Sequence, residues 1–364
     1  MVARLASVYL CYFGLRQPLV QTQVLPYLRE LASSAVDVAL LTFEPKGAWD
    51  EASAAQARDA LQRDGITWYA ARYHKRPTLP ATLYDIAVGA LRAARIARKH
   101  RATLLHARSH VPAMMALLAK KFTGAKVLFD IRGLLADEYA DAGHWKREGL
   151  LYRLTKAAER ALVRNADGFV VLTERARREL FDGATKPLEV IPCCTDAARF
   201  AHADARARVR GTLNAGDRIV IAYTGSLGGA YLTRELAEFF AAAKSVDARV
   251  FPLVLTQSEP AGFIAQLEAL GFAKGEYFAG FAPPEELPEY LAAADIAIAM
   301  LKPTYSKLAM SPTKFAEYLA SGLPVIVPKG IGDLDEQVER ERVGVLFDGF
   351  DAATYRDAFT RVEA

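Results

Sequence analysis

Cysteine is scarce in this chain of 364 residues, which has three: Cys11, Cys193 and Cys194. An odd count argues against a disulfide framework, and so few cannot ligate a metal cluster. The expectation is a reducing, cytoplasmic compartment. No run of about 20 apolar residues occurs, which argues against a membrane-spanning helix. The first 13 residues carry one arginine and a short apolar run, Ala6–Phe13, with no clear small-residue cleavage site. They read as a first core strand, not a targeting signal. Short tandem repeats and low-complexity tracts are also lacking. A hydrophobic content of 52% with 24% charged residues excludes a mostly disordered chain. Net charge is small, +4, but it is unevenly spread. Residues 1–190 hold 29 Lys and Arg against 19 Asp and Glu, so +10, and the remainder holds 17 against 23, so −6. A basic half is joined to an acidic half.

The length suggests two domains. Short β-rich runs alternate with longer helical patterns, the signature of a parallel sheet wrapped by helices. The strand candidates of the first half are Ala6–Phe13, Val36–Phe43, Ile66–Tyr73, Leu104–Ala107, Lys126–Ile131, Gly168–Leu172 and Leu188–Ile191. The pattern restarts near residue 195 with the β-branched run Arg218–Tyr223, followed by Val250–Thr256, Tyr277–Ala279, Ile296–Met300, Val325–Val327 and Val343–Phe347. Two doubly wound domains are expected, with a boundary in the weakly patterned Pro192–Gly216. Open α/β sheets bind ligands at the carboxyl ends of their strands. Two such domains facing each other would place a site in the cleft between them.

Four polar clusters fall at such strand ends. The loop Gly225-Ser226-Leu227-Gly228-Gly229 follows a strand and opens a helix. Its glycines would let N–H groups approach a phosphate, although a tight strand-to-helix turn needs the same residues. The spacing fits neither the dinucleotide fingerprint nor a P-loop. The second cluster starts at Ser311, read as an N-cap with Pro312 at the first helical position, then Thr313, Lys314 and Glu317. Lys302, Lys307 and Lys314 could gather around an anion, and the Glu317 carboxylate could accept two hydroxyls of a ribose. An amphipathic helix with solvated charges is the bland alternative. The third cluster brings His106, Arg108, Asp130, Arg132, Asp137 and Glu138 to the ends of adjacent strands. An internal salt-bridge network is the competing reading, and matched arginines leave zinc poorly supported. The fourth is the first loop, with Gly14, Arg16 and Gln17, which could line an acceptor side or be plain surface. Finally, Leu91–Arg101 carries Arg92, Arg95, Arg98, Lys99 and Arg101, largely on one helix side. With the +10 excess this favours an anionic surface such as lipid headgroups. Aromatic residues do not interleave with it, so no nucleic-acid partner is expected.

Several motifs together resemble glycosyltransferase family 4 of the GT-B fold, over about residues 6 to 350: Val170–Glu174, Val190–Asp196, Tyr223–Leu227 and Glu317–Ile326. The subgroup it resembles carries His-Ala-Arg-Ser, here His106–Ser109, and Phe-Asp-x-Arg-Gly, here Phe129–Gly133, with Ala136–Glu138 following. The resemblance implies an α/β protein with two Rossmann-like doubly wound parallel-sheet domains facing across a cleft. Residues 1–192 would bind the acceptor and 193–350 the nucleotide-sugar. Residues 351–364 would form a C-terminal helix of the kind that crosses back to the first domain, shortened here. The implied activity is metal-independent, hexosyl-type transfer from a nucleotide-sugar with retention at the anomeric carbon. By the same resemblance Glu317 would bind the ribose, Ser311–Lys314 and Gly225–Gly229 the diphosphate, and Gly280–Ala282, with Phe281, would flank the base. The sequence departs from the family at Ala309, where the first of two glutamates is usual, and at Arg132, where a histidine is usual. The Arg and Lys common after the second-domain glycine are missing, which makes Lys307 and Lys314 the replacements.

The resemblance also implies front-face displacement, with the leaving phosphate oxygen taking the acceptor proton and no protein nucleophile. Arg132 and Arg108 would balance charge and Asp130 would orient them. Gly14, Arg16, Gln17, His106, Asp137 and Glu138 would meet the acceptor. No cofactor beyond the nucleotide-sugar co-substrate is expected. The expected acceptor is a glycan or lipid-linked acceptor in polysaccharide or glycoconjugate assembly, and the expected location is cytoplasmic, with the basic first domain a candidate for contact with the inner face of a membrane. Two alternatives stand beside this: a nucleotide-sugar epimerase of the same fold, and a catalytically silent nucleotide-sugar-binding partner, which Ala309 would suit.

Overall fold

A computed structural model describes residues 5–34, 36–183, 185–202, 204–228 and 231–363. Gly229 of the glycine loop lies outside the described residues. The chain divides into two compact units, Met1–Ile191 and Pro192–Ala364.

The first unit runs β1 (Leu5–Cys11), α1 (Leu25–Ser33), β2 (Val36–Glu44), α2 (Glu51–Arg63), β3 (Ile66–Arg72), α3 (Thr78–His100) and β4 (Leu104–Arg108). It continues with α4 (His110–Thr123), β5 (Lys126–Asp130), α5 (Leu135–Asp141), α6 (Leu150–Asn165), β6 (Gly168–Val171), α7 (Glu174–Phe181) and β7 (Leu188–Val190). Its strands form one parallel sheet in the order β3-β2-β1-β4-β5-β6-β7. Strands covered on both faces need apolar residues at successive positions, which is why β1 and β2 read as continuous apolar runs. Alternate residues serve opposite layers. Tyr9, Cys11, Val38, Leu40 and Trp68 pack with Leu25 and Leu28 of α1, while Phe43 reaches Gly89 of α3 beside Met115 of α4.

The second unit repeats the scheme with α8 (Ala205–Thr212), β8 (Ile219–Thr224), α9 (Thr233–Val246), β9 (Val250–Leu255), α10 (Ala261–Ala269), β10 (Phe278–Gly280) and α11 (Leu287–Ala292). Then come β11 (Ile296–Ile298), α12 (Thr313–Ala320), β12 (Val325–Pro328), α13 (Leu334–Glu341), β13 (Gly344–Phe347) and α14 (Ala352–Glu363). Its parallel order is β10-β9-β8-β11-β12-β13. Helix α14 packs on α9 and β13 of its own unit. Both units are therefore Rossmann-like, and in each the strand order reverses beside the first strand: between β1 and β4, and between β8 and β11. Crossovers diverge there, leaving the carboxyl strand ends open for a ligand.

One departure from the sequence pattern is local. The stretch 192–216, weakly patterned, folds into a 3-10 turn at Ala197–Phe200 and helix α8. Its inward-facing residues are Phe200, Ala205, Val209, Leu213 and Ala215, spread too thinly for a short helix to show a clear period.

Sheet closure in the second unit requires a glycine at the start of β13. A Cβ on Gly344 would overlap the backbone of Val325 on β12, with the Val325 nitrogen 2.7 Å away. Backbone cannot yield as a side-chain tip can. Gly344→Ala is expected to cost about 3 kcal/mol, read by urea denaturation, whereas Gly262→Ala on α10, which meets nothing within 4 Å, should leave stability equal or higher.

Candidate active site

In the second unit the site is built on the β8–β11 gap. Strand β8 ends in Tyr223 and Thr224, and the chain turns at Gly225 with φ of +133°, a conformation suited to glycine. The open side of Gly225 is filled by Lys314 from the first turn of α12: a Cβ on Gly225 would stand 2.7 Å from its Nζ. That ammonium lies 4.3 Å from the ring centre of Tyr223 and 4.9 Å from that of Tyr231. It is buried and finds no hydrogen-bond partner among the described residues. Burial pulls the Lys314 pKa down to about 7, against the opposing pull of Glu317. Glu317, one turn along α12, is raised by burial, which the nearby Arg199 and Lys314 only partly offset. Two oppositely charged groups are thus each biased toward neutrality.

The surrounding loop is held by side chains. The Gly225 N–H goes to the Leu255 carbonyl (2.9 Å), the Leu227 N–H to Ser258 Oγ (3.0 Å) and the Gly228 N–H to Thr233 Oγ1 (2.6 Å). Tyr223 donates to the Ser226 carbonyl at 2.8 Å. The glycine loop's amides are therefore largely engaged within the protein, and Lys314 is the group left aimed at the turn. Tyr318 ties α12 to β8 by accepting the Thr224 N–H at 2.8 Å. Helix α12 starts one residue later than its sequence suggests. Pro312 stands at the N-cap without a side-chain cap, Thr313 is the first helical residue, and the Ser311 hydroxyl instead accepts the Cys193 N–H at 3.0 Å. Lys307 sits in a 3-10 turn over Tyr305–Ala309, where its carbonyl accepts the N–H groups of Met310 and Gly332. Ala309 is buried. Phe281 is 60% exposed just past edge strand β10.

In the first unit Arg108 ends β4 and Asp130 ends β5, paired in register. Arg108 and Arg132 approach Asp130 at 3.8 and 3.5 Å. Both also donate to Gln23 Oε1, at 2.8 and 3.4 Å. His106 lies 3.9 Å from Asp130 but is buried against the Tyr9 ring, 4.5 Å between centres. Burial lowers its pKa to about 4; Asp130 opposes this, and Arg108 and Arg132 add to it. His106 is neutral at pH 7. Asp137 does not join this group: it is buried and takes Tyr152 OH (2.8 Å), Lys156 (2.9 Å) and Arg147 (3.2 Å), bolting α5 to α6. Glu138 is exposed, folded against Gly133. In the first loop Gly14 passes against Glu44, Leu15 donates its N–H to Glu44 at 2.8 Å, and Trp49 donates to the same carboxylate at 2.8 Å. Arg16 stacks 3.9 Å over Trp49, and Gln17 is exposed.

Known proteins match on both units. A model described as Glycosyltransferase Family 4 covers residues 20–199, and one described as Glycosyl transferases group 1 covers 218–363. The chain belongs to the GT-B glycosyltransferases of family 4. Solved structures share its fold. Sucrose-phosphate synthase from Thermosynechococcus elongatus is 19% identical with a TM-score of 0.69, covering 99% of this chain and 90% of that one. HepE from Anabaena, in complex with UDP and glucose, is 14% identical with a TM-score of 0.68, covering 98% and 89%. WaaG, a glycosyltransferase involved in lipopolysaccharide biosynthesis, is 16% identical with a TM-score of 0.66, covering 98% and 90%. No curated protein matches the sequence.

Within this glycosyltransferase several site groups carry no sequence signal of their own. Tyr231 and Arg199 reach the site from separate segments, and Glu44 is a single acid at a strand end. Ser109 is more legible, standing in the His-Ala-Arg-Ser run. Its φ of +70° with ψ of −177° is strained for a side-chain-bearing residue. Ser109→Gly should raise stability by about 1 kcal/mol, since relief of strain exceeds the added unfolded-state entropy. Thermal and denaturant unfolding read this directly, and a destabilised variant contradicts the strain.

Proposed function

We propose that this glycosyltransferase moves a hexose from a nucleoside diphosphate sugar, with retention and without a metal, to a glycan or lipid-linked acceptor in polysaccharide or glycoconjugate assembly. The observation that carries the reading is Lys314, a buried ammonium aimed at the Gly225 turn with no counter-charge in hydrogen-bond contact among the described residues. A diphosphate supplies that charge, and Glu317 beside it suits the paired hydroxyls of a ribose. Lys307, Ser311, Pro312, Thr313 and the Gly225–Gly228 turn complete the donor side, with Phe281 toward the base. HepE, solved with UDP and glucose, supports a uridine nucleotide, and the lipopolysaccharide role of WaaG supports an envelope glycan as acceptor.

In the reaction the anomeric carbon–oxygen bond to the diphosphate breaks, and the acceptor oxygen bonds to the same face of the sugar. The acceptor proton passes to the leaving phosphate oxygen. Lys314 stabilises the charge that grows on the diphosphate. Arg108 and Arg132, oriented by Asp130 and Gln23, offer the first unit's cationic contribution. Arg16, Gln17 and Glu138 are the exposed acceptor contacts, and the unit works at the cytoplasmic face of a membrane.

Lys314→Ala and Glu317→Ala should each lower kcat/KM by about 100-fold, measured as UDP release from UDP-hexoses in an acceptor screen. Full activity in both variants refutes the site. Donor affinity should also depend on pH. The empty site loses the Lys314 proton above about pH 7, and diphosphate binding requires the charged form. The dissociation constant for a UDP-hexose should therefore rise roughly tenfold per pH unit above that point and be flat below it. Calorimetric titration reads this, and Lys314→Met should abolish the slope.

A further inference from the structure

Asp85 on α3 is a buried carboxylate that the proposed reaction does not use. It gathers the segments that follow two strands of the first sheet. From beyond β1, Tyr12 donates its hydroxyl at 2.7 Å. From beyond β3, His74 gives its backbone N–H at 3.0 Å and sets Nδ1 against the other carboxylate oxygen at 2.6 Å. Burial, with Asp85 adding to it, pushes the Tyr12 hydroxyl pKa up, so the phenol stays a donor. A carboxylate only accepts, so His74 Nδ1 carries the hydrogen and Nε2 is the acceptor of the neutral ring. The imidazole is thereby held in one tautomer and one orientation. Rings support it: Tyr12 meets Phe43 of β2 at 4.9 Å and Tyr73 at 5.3 Å between centres. Tyr84, beside Asp85 on α3, stands 5.1 Å from the imidazole at 88°.

Tying a loop to a helix accounts for Asp85 and Tyr12. It does not call for an imidazole whose side chain is 32% exposed, with no hydrogen bond to Nε2 among the described residues. Nor does it call for a tyrosine ring that is 57% exposed next to it. Lys75 and Arg76 follow His74, are exposed, and enter no ion pair among the described residues. A polar group of fixed orientation beside an open aromatic face suits a pyranose. Sugar C–H bonds, polarised by the neighbouring oxygens, meet the negative face of the ring, and a hydroxyl meets the imidazole. Two cations add attraction for a carboxylate on that sugar. Position narrows the assignment further. The sheet order β3-β2-β1-β4 puts three strand spacings, about 14 Å, between His74 and Arg108 along the carboxyl rim. One pyranose cannot touch both, but successive sugars of one chain can.

We propose that Tyr84, His74, Lys75 and Arg76 form a glycan subsite of the first unit that takes an acidic pyranose. Tyr84 stacks on its C–H face, His74 Nε2 accepts one of its hydroxyls, and the two cations meet its carboxylate. Asp85 is a positioning residue that acts through His74. Calling this sugar a distal residue of the acceptor rests on the transferase reading, whereas its binding does not. Glucuronate and glucose are each titrated into the full-length protein, with UDP present to occupy the donor site, and followed by saturation-transfer NMR. The expected result is transfer to the C–H protons of glucuronate, with weaker binding of glucose, and a shift of the His74 Nε2 resonance while Nδ1 keeps its hydrogen. Tyr84→Ala should weaken glucuronate binding about tenfold, and His74→Phe about fivefold. K75S/R76S should bring glucuronate down to the level of glucose. Asp85→Asn should let the His74 nitrogen resonances average between tautomers, a signature that a purely structural role would not move. Unchanged circular dichroism of the variants confirms folding. A wild type that shows no transfer to glucuronate, or binds glucose equally well, overturns the proposal. So does Tyr84→Ala or His74→Phe binding glucuronate as the wild type does. Absence of UDP-hexose turnover with glucuronate binding intact would sink the transferase reading alone.

Discussion

Reversal of strand order beside β1 in one sheet and β8 in the other is the constraint on which the rest depends. Crossover helices leave those gaps in opposite directions, so the carboxyl ends of the adjacent strands are open. Every cationic candidate of the donor and charge-balancing groups is placed with reference to these ends. Arg108 and Asp130 terminate β4 and β5, and Gly225 follows β8 while α12 follows β11. Parallel sheets must be covered on both faces, so polar groups have few positions besides the strand ends where they escape burial. The fold thereby concentrates chemistry at its rims.

Charge is then managed by what each rim leaves unmatched. In the first unit Asp130 is offset by two arginines, which also share Gln23, and His106 is driven neutral in an aromatic layer. Asp85, Asp137 and Glu159 are likewise spent internally. Taking carboxylates inside leaves helices α3, α4 and α6 with exposed cations and no exposed carboxylate of their own. The second unit is acidic overall, yet it buries Lys314, which has no hydrogen-bonded partner among the described residues. A desolvated ammonium is costly in the empty state, and that cost falls when an anion arrives. In the proposed donor site, binding and ionisation would be coupled at Lys314 for that reason.

Much of this was readable along the chain. β-branched runs such as Arg218–Tyr223 announced strands, α3 showed helical spacing of its cations, and α12 was placed by Pro312 near its start. Lys314, Glu317 and the Gly225 turn could be grouped from residue type and family motif. Other features could not. Helix α8 has too few inward apolar residues to show a period. Ser311 resembles an N-cap, but its hydroxyl is taken by the Cys193 N–H, more than 100 residues away in sequence. Asp137 resembles a site residue beside Glu138, and only packing against α6 shows it to be a bolt. Glu44, which fixes the first loop, is one acid at the end of an apolar strand and has no pattern to betray it.

The sequence by itself determined the two-unit α/β organisation, the strand positions and the unequal charge of the halves, because these follow from local periodicity and composition. Tertiary structure alone decided which groups are charged. Burial of Lys314 between Tyr223 and Tyr231, of His106 between Tyr9 and Asp130, and of Glu159 beside His110 depends on segments far apart in the chain. Desolvation is a property of what surrounds a side chain on all sides, and no linear pattern encodes it.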